Sequence, residues 1–127
     1  MKKLFIYTFL VMMFCNVGAA KDLTGTKLLC KENTDPADDH GLHFIGPNKV
    51  IHFSIGNWKV QVKEKKYWVD PVNIFILGYK INRETLVFGF LSTNYQCSIV
   101  EEDFPFKAYF IDMIVNLIRE QESKNKL

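Results

Sequence analysis

The segment VIHFSIGNWKVQV, residues 50–62, carries the clearest β-strand pattern in the chain. Apolar and polar side chains alternate on both sides of Gly56-Asn57, which predicts two extended strands over residues 50–55 and 58–62. Gly and Asn are suited to the short turn of a β-hairpin. The apolar face of the first strand consists of Ile51, Phe53 and Ile55. The segment therefore predicts an antiparallel hairpin.

Similar short apolar segments, separated by polar turns, recur along most of the chain. They predict strands at residues 24–32, 42–45, 50–55, 58–62, 67–69, 72–79, 85–90 and 95–100. Such spacing is typical of antiparallel meanders, sandwiches and barrels. We predict a mainly β fold, a meander of seven or eight strands that forms a small barrel or half-barrel. Phe53 and Phe88 are expected among the side chains that fill its interior.

The hydrophobic period changes near the C-terminus. Asp103 can cap a helix, and Pro105 is tolerated in a first helical turn. Apolar residues then recur at helical spacing, which predicts one amphipathic helix over residues 104–121. We expect its apolar face to pack against the sheet. A membrane-surface or partner-binding helix is the alternative, but the polar face is mixed in sign rather than rich in Lys and Arg.

The first twenty residues have the pattern of a secretory signal peptide. Lys2 and Lys3 precede an apolar run over residues 4–14, and small residues at 18–20 offer a cleavage site. The run is shorter than the roughly 20 residues of a membrane span, so an uncleaved membrane anchor is the less favoured alternative. We therefore predict a signal helix over residues 1–20 and a single exported domain over 21–127. The expected location is the bacterial periplasm or the medium, with no stable membrane anchor after cleavage.

The charge balance argues against nucleic-acid binding. Removing Lys2 and Lys3 with the signal lowers the count of basic side chains from 16 to 14, equal to the 14 acidic ones. Nucleic-acid-binding domains instead carry a clustered basic excess.

Two cysteines, Cys30 and Cys97, remain after the signal peptide. In an oxidising compartment an even pair favours a disulfide, and only one connectivity exists. Two buried free thiols are the alternative. A catalytic thiol is disfavoured, because no Cys-x-x-Cys pair is present and no base can be placed beside either sulfur.

The potential metal ligands and catalytic groups do not form a recognisable motif. Five of them lie within nine residues: Asp35, Asp38, Asp39, His40 and His43. Their order does not match a calcium loop, and no thiolate pair accompanies the histidines. His52 is expected on the exposed face of its strand, and no acid is placed to orient it towards Ser54. We therefore expect no metal, no cofactor and no catalytic residues.

Aromatic residues are abundant, at 14% of the chain, so most of them are expected in the core. Trp68 alternates with Tyr67 and Val69, so it should point outward if those two point inward. We predict a possible interaction surface that includes Trp68, Tyr67 and Arg83. The conventional role of Arg83 would be a surface ion pair with Glu84 or Asp70.

The segment Leu23-Thr24-Gly25-Thr26-Lys27-Leu28-Leu29-Cys30 is similar to the first strand of lipocalin-like (calycin) barrels, which often begin Gly-x-Trp. Lys27 stands where that family has tryptophan. The later segment, residues 81–86, resembles the late hairpins of such barrels. The resemblance implies a barrel topology and carries over no ligand-binding residue. In a closed meander the first and last strands are neighbours, so a Cys30–Cys97 disulfide would join them.

These observations favour a small exported protein that binds a partner without catalysing a reaction. A protein-interaction module is the first hypothesis, because a filled interior leaves a surface or a sheet edge for recognition. Carriage of a small apolar ligand in a lipocalin-like barrel is the second, and a periplasmic enzyme of unknown chemistry is the third.

Overall fold

The computed structural model describes residues 23–32, 38–76, 78–90 and 93–124. The predicted signal helix and Asp35 lie outside these residues. The elements are β1 (Lys27–Lys31), β2 (His40–Phe44), β3 (Lys49–Gly56), β4 (Lys59–Val69), β5 (Asn73–Ile76), β6 (Tyr79–Asn82), β7 (Val87–Phe90), β8 (Thr93–Val100) and α1 (Phe106–Lys124).

The strands form a closed antiparallel barrel. Each strand pairs with the next one in the chain, and β1 pairs with β8 to complete the circle. The predicted mainly β meander with a C-terminal helix is thus confirmed. The helix begins at Phe106, just after Pro105, and runs to Lys124, slightly beyond the predicted end.

The strand count agrees with the prediction only because two errors compensate. The turn predicted at residues 64–66 does not exist, because pairing with β3 keeps β4 extended from Lys59 to Val69. The single strand predicted at residues 72–79 is instead two strands, β5 and β6. Gly78, at φ 84°, takes the left-handed conformation that their short connection needs.

The central hairpin turns one residue later than predicted. Asn57 and Trp58 both have positive φ angles, 53° and 61°, and they connect β3 to β4. Positive φ at both central residues is the requirement of the two-residue hairpin turn whose twist matches that of the strands. Trp58 is therefore an exposed turn residue rather than the first residue of a strand.

The interior of the barrel is filled with side chains. Its apolar cluster consists of Leu28, Cys30, Leu42, Phe44, Val50, Tyr67, Ile74, Ile76, Ile81, Phe88, Tyr95 and Cys97. At one end, the hydroxyl of Tyr67 donates a hydrogen bond to the carbonyl of Gly46 at 2.6 Å. The same oxygen accepts the backbone N–H of Leu23 at 3.4 Å, so this end is closed by side chains and backbone together.

A second apolar layer lies outside the barrel, under the helix. Phe53 points outward and stacks on Phe106, with ring centroids 5.0 Å apart. Phe110 and Ile114 continue the buried face of α1. The expectation that Phe53 fills the interior is therefore wrong, whereas Phe88 is interior as expected. The helix creates an outer core that a sheet alone would not have.

The predicted disulfide joins the first and last strands. Cys30 and Cys97 are directly opposed in the β1–β8 register, with 3.9 Å between their Cα atoms. Both residues are buried inside the barrel. The bond therefore lies at the junction that closes the sheet.

We expect the Cys30→Ala/Cys97→Ala variant to lose about 4 kcal/mol of unfolding free energy, the chain-entropy value for a loop of this length. Urea denaturation of the oxidised protein and the variant measures the difference. Equal stabilities would show that β1–β8 pairing needs no covalent support.

Gly41 allows the helix to approach β2 closely. A Cβ atom built at this residue would lie 2.7 Å from Cδ1 of Phe106. We expect Gly41→Ala to lower the unfolding free energy by about 1–3 kcal/mol through this overlap. Gly46→Ala is the matched control, because a Cβ there meets nothing within 4 Å. Similar thermal unfolding of the two variants would contradict this account of the helix contact.

Candidate functional site

An aromatic pair occupies the outer face of β4 and β5, on a part of the barrel that the helix does not cover. Trp68 is 55% exposed, and its ring stacks against Phe75 at a centroid distance of 6.1 Å and an interplanar angle of 19°. The two residues are directly opposed in the strand register, which explains the contact. The prediction that Trp68 points outward is confirmed.

A groove of about 440 Å³ adjoins this pair on the outer face. It is lined by Val72, Asn73, Lys80, Asn82, Thr85, Val87, Gly89 and Asn94. Lys80 is the register partner of Phe75, so the groove begins one strand away from the aromatic rings. We call Trp68, Phe75 and the groove residues the Trp68 surface.

Several polar groups of the Trp68 surface are available to a partner. The side chains of Asn73, Lys80 and Asn94 make no hydrogen bond or ion pair with one another or with any other residue that the structure describes. The Oδ1 atom of Asn82, in contrast, accepts the backbone N–H groups of Glu84 and Thr85 at 2.9 Å each. The groove thus has hydrogen-bonding side chains that are not used within the described structure, and it lies beside the turn that the Asn82 side chain orders.

Arg83 braces one end of the groove. Its Nη1 donates to the backbone carbonyl of Asp70 at 2.9 Å, and its backbone N–H donates to the carbonyl of Val72. The carboxylate of Asp70 is used by the backbone N–H groups of Val72 and Asn73. The guanidinium therefore binds a carbonyl rather than forming the expected carboxylate pair. It connects the 70–73 turn to the turn that follows β6.

Tyr67 does not belong to the predicted interaction surface. It is 2% exposed, and its ring packs inside the barrel against Phe44 at 4.8 Å between centroids. Strand alternation places it on the opposite side of β4 from Trp68. Of the three predicted surface residues, only Trp68 and Arg83 remain on the outside.

A histidine pair lies inside the barrel, at the end opposite Tyr67. The Nδ1 atom of His40 and the Nε2 atom of His52 are 2.8 Å apart, so one imidazole donates a hydrogen bond to the other. His52 is only 5% exposed, and the prediction of an exposed histidine is therefore wrong. The sequence showed correctly that His52 and Phe53 occupy opposite faces. It did not show that the helix would bury the face of Phe53.

The pair is surrounded by aromatic rings and by lysines. His40 lies edge-on to Tyr95, with 5.0 Å between centroids, and His52 lies edge-on to Tyr79. The Nζ atom of Lys65 donates to the hydroxyl of Tyr79 at 3.3 Å and lies above its ring. This environment is apolar and positively charged, which disfavours a protonated imidazole.

Both imidazoles are held neutral at physiological pH. Burial, followed by the charge of Lys65, lowers the pKa of His40 to about 4. Burial, followed by His40, Lys65 and Lys63, lowers the pKa of His52 to about 3. Within the described residues, neither ring is hydrogen-bonded to a carboxylate, a hydroxyl or a thiol that could pair with it as a catalytic base.

The described part of the acidic and histidine-rich segment, residues 38–43, runs into β2, and its side chains lie on different sides of the barrel wall. His40 points into the barrel, whereas the next histidine on the strand, His43, lies on the outer side. Asp39 is buried beneath the helix, where its Oδ2 accepts the hydroxyl of Tyr109 at 3.0 Å. Burial and the Asp39 carboxylate raise the pKa of Tyr109 to about 12.

Across residues 38–76, 78–90 and the other described ranges, no three His, Cys, Asp or Glu residues converge as metal ligands.

Comparison of the chain with known protein families, with curated proteins and with solved structures finds no significant match in any of the three. The resemblance to lipocalin-like barrels therefore stays a prediction. In the part of the chain that the structure describes, no helix is long and apolar enough to span a membrane.

The histidine pair predicts a specific loss of stability in acid. The folded-state pKa values lie below the ordinary value of about 6.5, so the unfolded chain binds more protons as the pH falls below 6.5. Between pH 7.5 and pH 5 we expect the two histidines together to lower the free energy of unfolding by roughly 2–4 kcal/mol. Urea denaturation at both pH values should show a smaller loss in His40→Leu/His52→Leu. His43→Asn is the control and should keep most of the wild-type loss. An unchanged pH dependence in the double variant would contradict the assignment.

Proposed function

We propose that the protein is an exported, non-enzymatic binding protein that recognises a protein partner through the Trp68 surface. The observation that carries this proposal is the exposed Trp68 ring, stacked on Phe75 beside a groove with uncommitted polar side chains. Large aromatic side chains contribute most of the free energy of many protein interfaces, with polar groups around them.

The stacking of Trp68 favours recognition of a preformed surface. Because Phe75 lies against it and the Tyr67–Val69 part of β4 is paired with β5, the indole ring has little freedom to lose when a partner docks. Arg83 holds the neighbouring turns together by hydrogen bonds from its guanidinium and its backbone N–H to the backbone carbonyls of Asp70 and Val72. A rigid aromatic residue next to ordered turns is typical of a protein-binding site.

The filled barrel interior favours a protein partner over a small apolar ligand. Phe44, Tyr67, Phe88 and their neighbours occupy the space that a lipocalin-like carrier would leave for its cargo. The groove, in contrast, lies on the outer face of the barrel, with three asparagines and a lysine along it. Such a surface can satisfy the exposed backbone and side-chain groups of a polypeptide.

Export is supported by the signal-like N-terminal sequence and by the buried disulfide. A bond between Cys30 and Cys97 is stable in an oxidising compartment such as the periplasm or the extracellular medium. The partner should therefore be sought among periplasmic or secreted proteins.

We expect Trp68→Ala to weaken partner binding at least tenfold, because the residue would be the central anchor of the interface. Immobilised wild type and variant are exposed to periplasmic and secreted proteins of the source organism, and retained proteins are identified by mass spectrometry. The affinity of each purified candidate is then measured by calorimetry.

Trp58→Ala is the matched control, because Trp58 is 54% exposed but lies in the β3–β4 turn. A partner that binds wild type and Trp58→Ala with equal affinity and loses binding to Trp68→Ala supports the proposal. A retained protein that binds Trp58→Ala and Trp68→Ala with the same affinity would overturn the proposal. So would a small molecule that co-purifies with the protein and is the only bound species.

A further inference from the structure

The helix α1 uses only part of its surface against the barrel. Phe106, Phe110 and Ile114 are its buried residues, at a spacing of four, and Ile114 is the last of them. The helix nevertheless continues to Lys124, roughly 15 Å further along its axis. The second half of α1 therefore extends beyond its contact with β3 and β4.

A second apolar stripe runs along the solvent side of α1. Ile111, Val115 and Ile118 are 51%, 39% and 39% exposed. Together with the exposed Ala108 they follow a spacing of three, four and three residues, which is the a/d pattern of a coiled-coil seam. At 100° per residue, the stripe is centred about 120° around the helix from the buried face. A second helix can lie on it without displacing the barrel.

Two opposite charges flank the stripe on the same side. Asp112 follows Ile111 and Arg119 follows Ile118, so both occupy the e position next to a d residue. They are seven residues apart, about 10 Å along the axis, which is too far for a pair on one helix. Within the described residues, neither forms an ion pair. In an antiparallel pair of helices e positions face each other, so each Asp112 would meet Arg119 of the second copy.

We propose that the protein forms a two-fold symmetric dimer through antiparallel pairing of α1 with α1 of a second copy, with Ile111, Val115 and Ile118 in the seam. Two-fold symmetry makes the Asp112–Arg119 pair occur twice. Glu122 stands at the next a position and ends the apolar seam. Because the seam is short, its buried area falls below the roughly 1,200–2,000 Å² of a standard interface, and the dimer is weak.

The test is sedimentation equilibrium of the oxidised, exported protein at concentrations up to about 1 mM, which covers dissociation constants in the micromolar range. We expect wild type to show a monomer–dimer equilibrium. Asp112→Arg and Arg119→Asp should each raise the dissociation constant about five- to tenfold, because each replaces two attractive contacts with two repulsive ones. The double variant Asp112→Arg/Arg119→Asp should restore it to within about threefold of wild type.

Glu102→Arg is the control for the change in net charge, because Glu102 is exposed and precedes α1. It should leave the dissociation constant unchanged. A wild-type protein that stays monomeric over the whole range would overturn the proposal, as would a double variant that fails to restore association. Self-association that is lost in Trp68→Ala but kept in both single charge variants would also overturn it, because it would place the contact on the Trp68 surface.

Discussion

The pairing of β1 with β8 is the contact on which the rest of the structure depends. It closes the sheet, so every strand pairs with two neighbours in the ring and has one inner and one outer face. The Cys30–Cys97 bond lies within this pairing, between directly opposed residues. The covalent link acts where the loop-closure cost is greatest, because the two strands come from opposite ends of the barrel sequence.

The helix divides the outer face of the closed barrel into two regions. One region, centred on Phe53 and Gly41, is covered by the first half of α1. The other region carries Trp68, Phe75 and the groove, and it remains exposed. A single helix cannot cover a whole barrel, so the position of α1 decides which outer residues are core and which can bind a partner. The helix also has a second apolar stripe, Ile111, Val115 and Ile118, which faces away from its own barrel.

The interior has two distinct ends. Around Tyr67 the packing is apolar, and the Tyr67 hydroxyl is hydrogen-bonded to backbone groups. Around His40 and His52 two neutral imidazoles satisfy each other, and aromatic rings surround them. The hydrogen bond between the two rings offsets part of the cost of removing them from water. At low pH the unfolded chain binds protons that the buried rings do not, so the free energy of unfolding falls.

The sequence by itself determined the antiparallel meander, the C-terminal helix and the pairing of the two cysteines, whereas two of the strand boundaries needed the structure. These features follow from local alternation, turn residues and cysteine count, which involve neighbours in the chain or a single possible pairing. It also indicated that Trp68 lies on the opposite face from Tyr67. Only the tertiary structure decided which face of each strand is interior, since alternation along a strand defines two faces, and an apolar face can be buried either inside the barrel or under the helix. The helix reversed the expected roles of His52 and Phe53 by burying the outer one, and it left Trp68 exposed because it packs on the side of the barrel that carries Phe53.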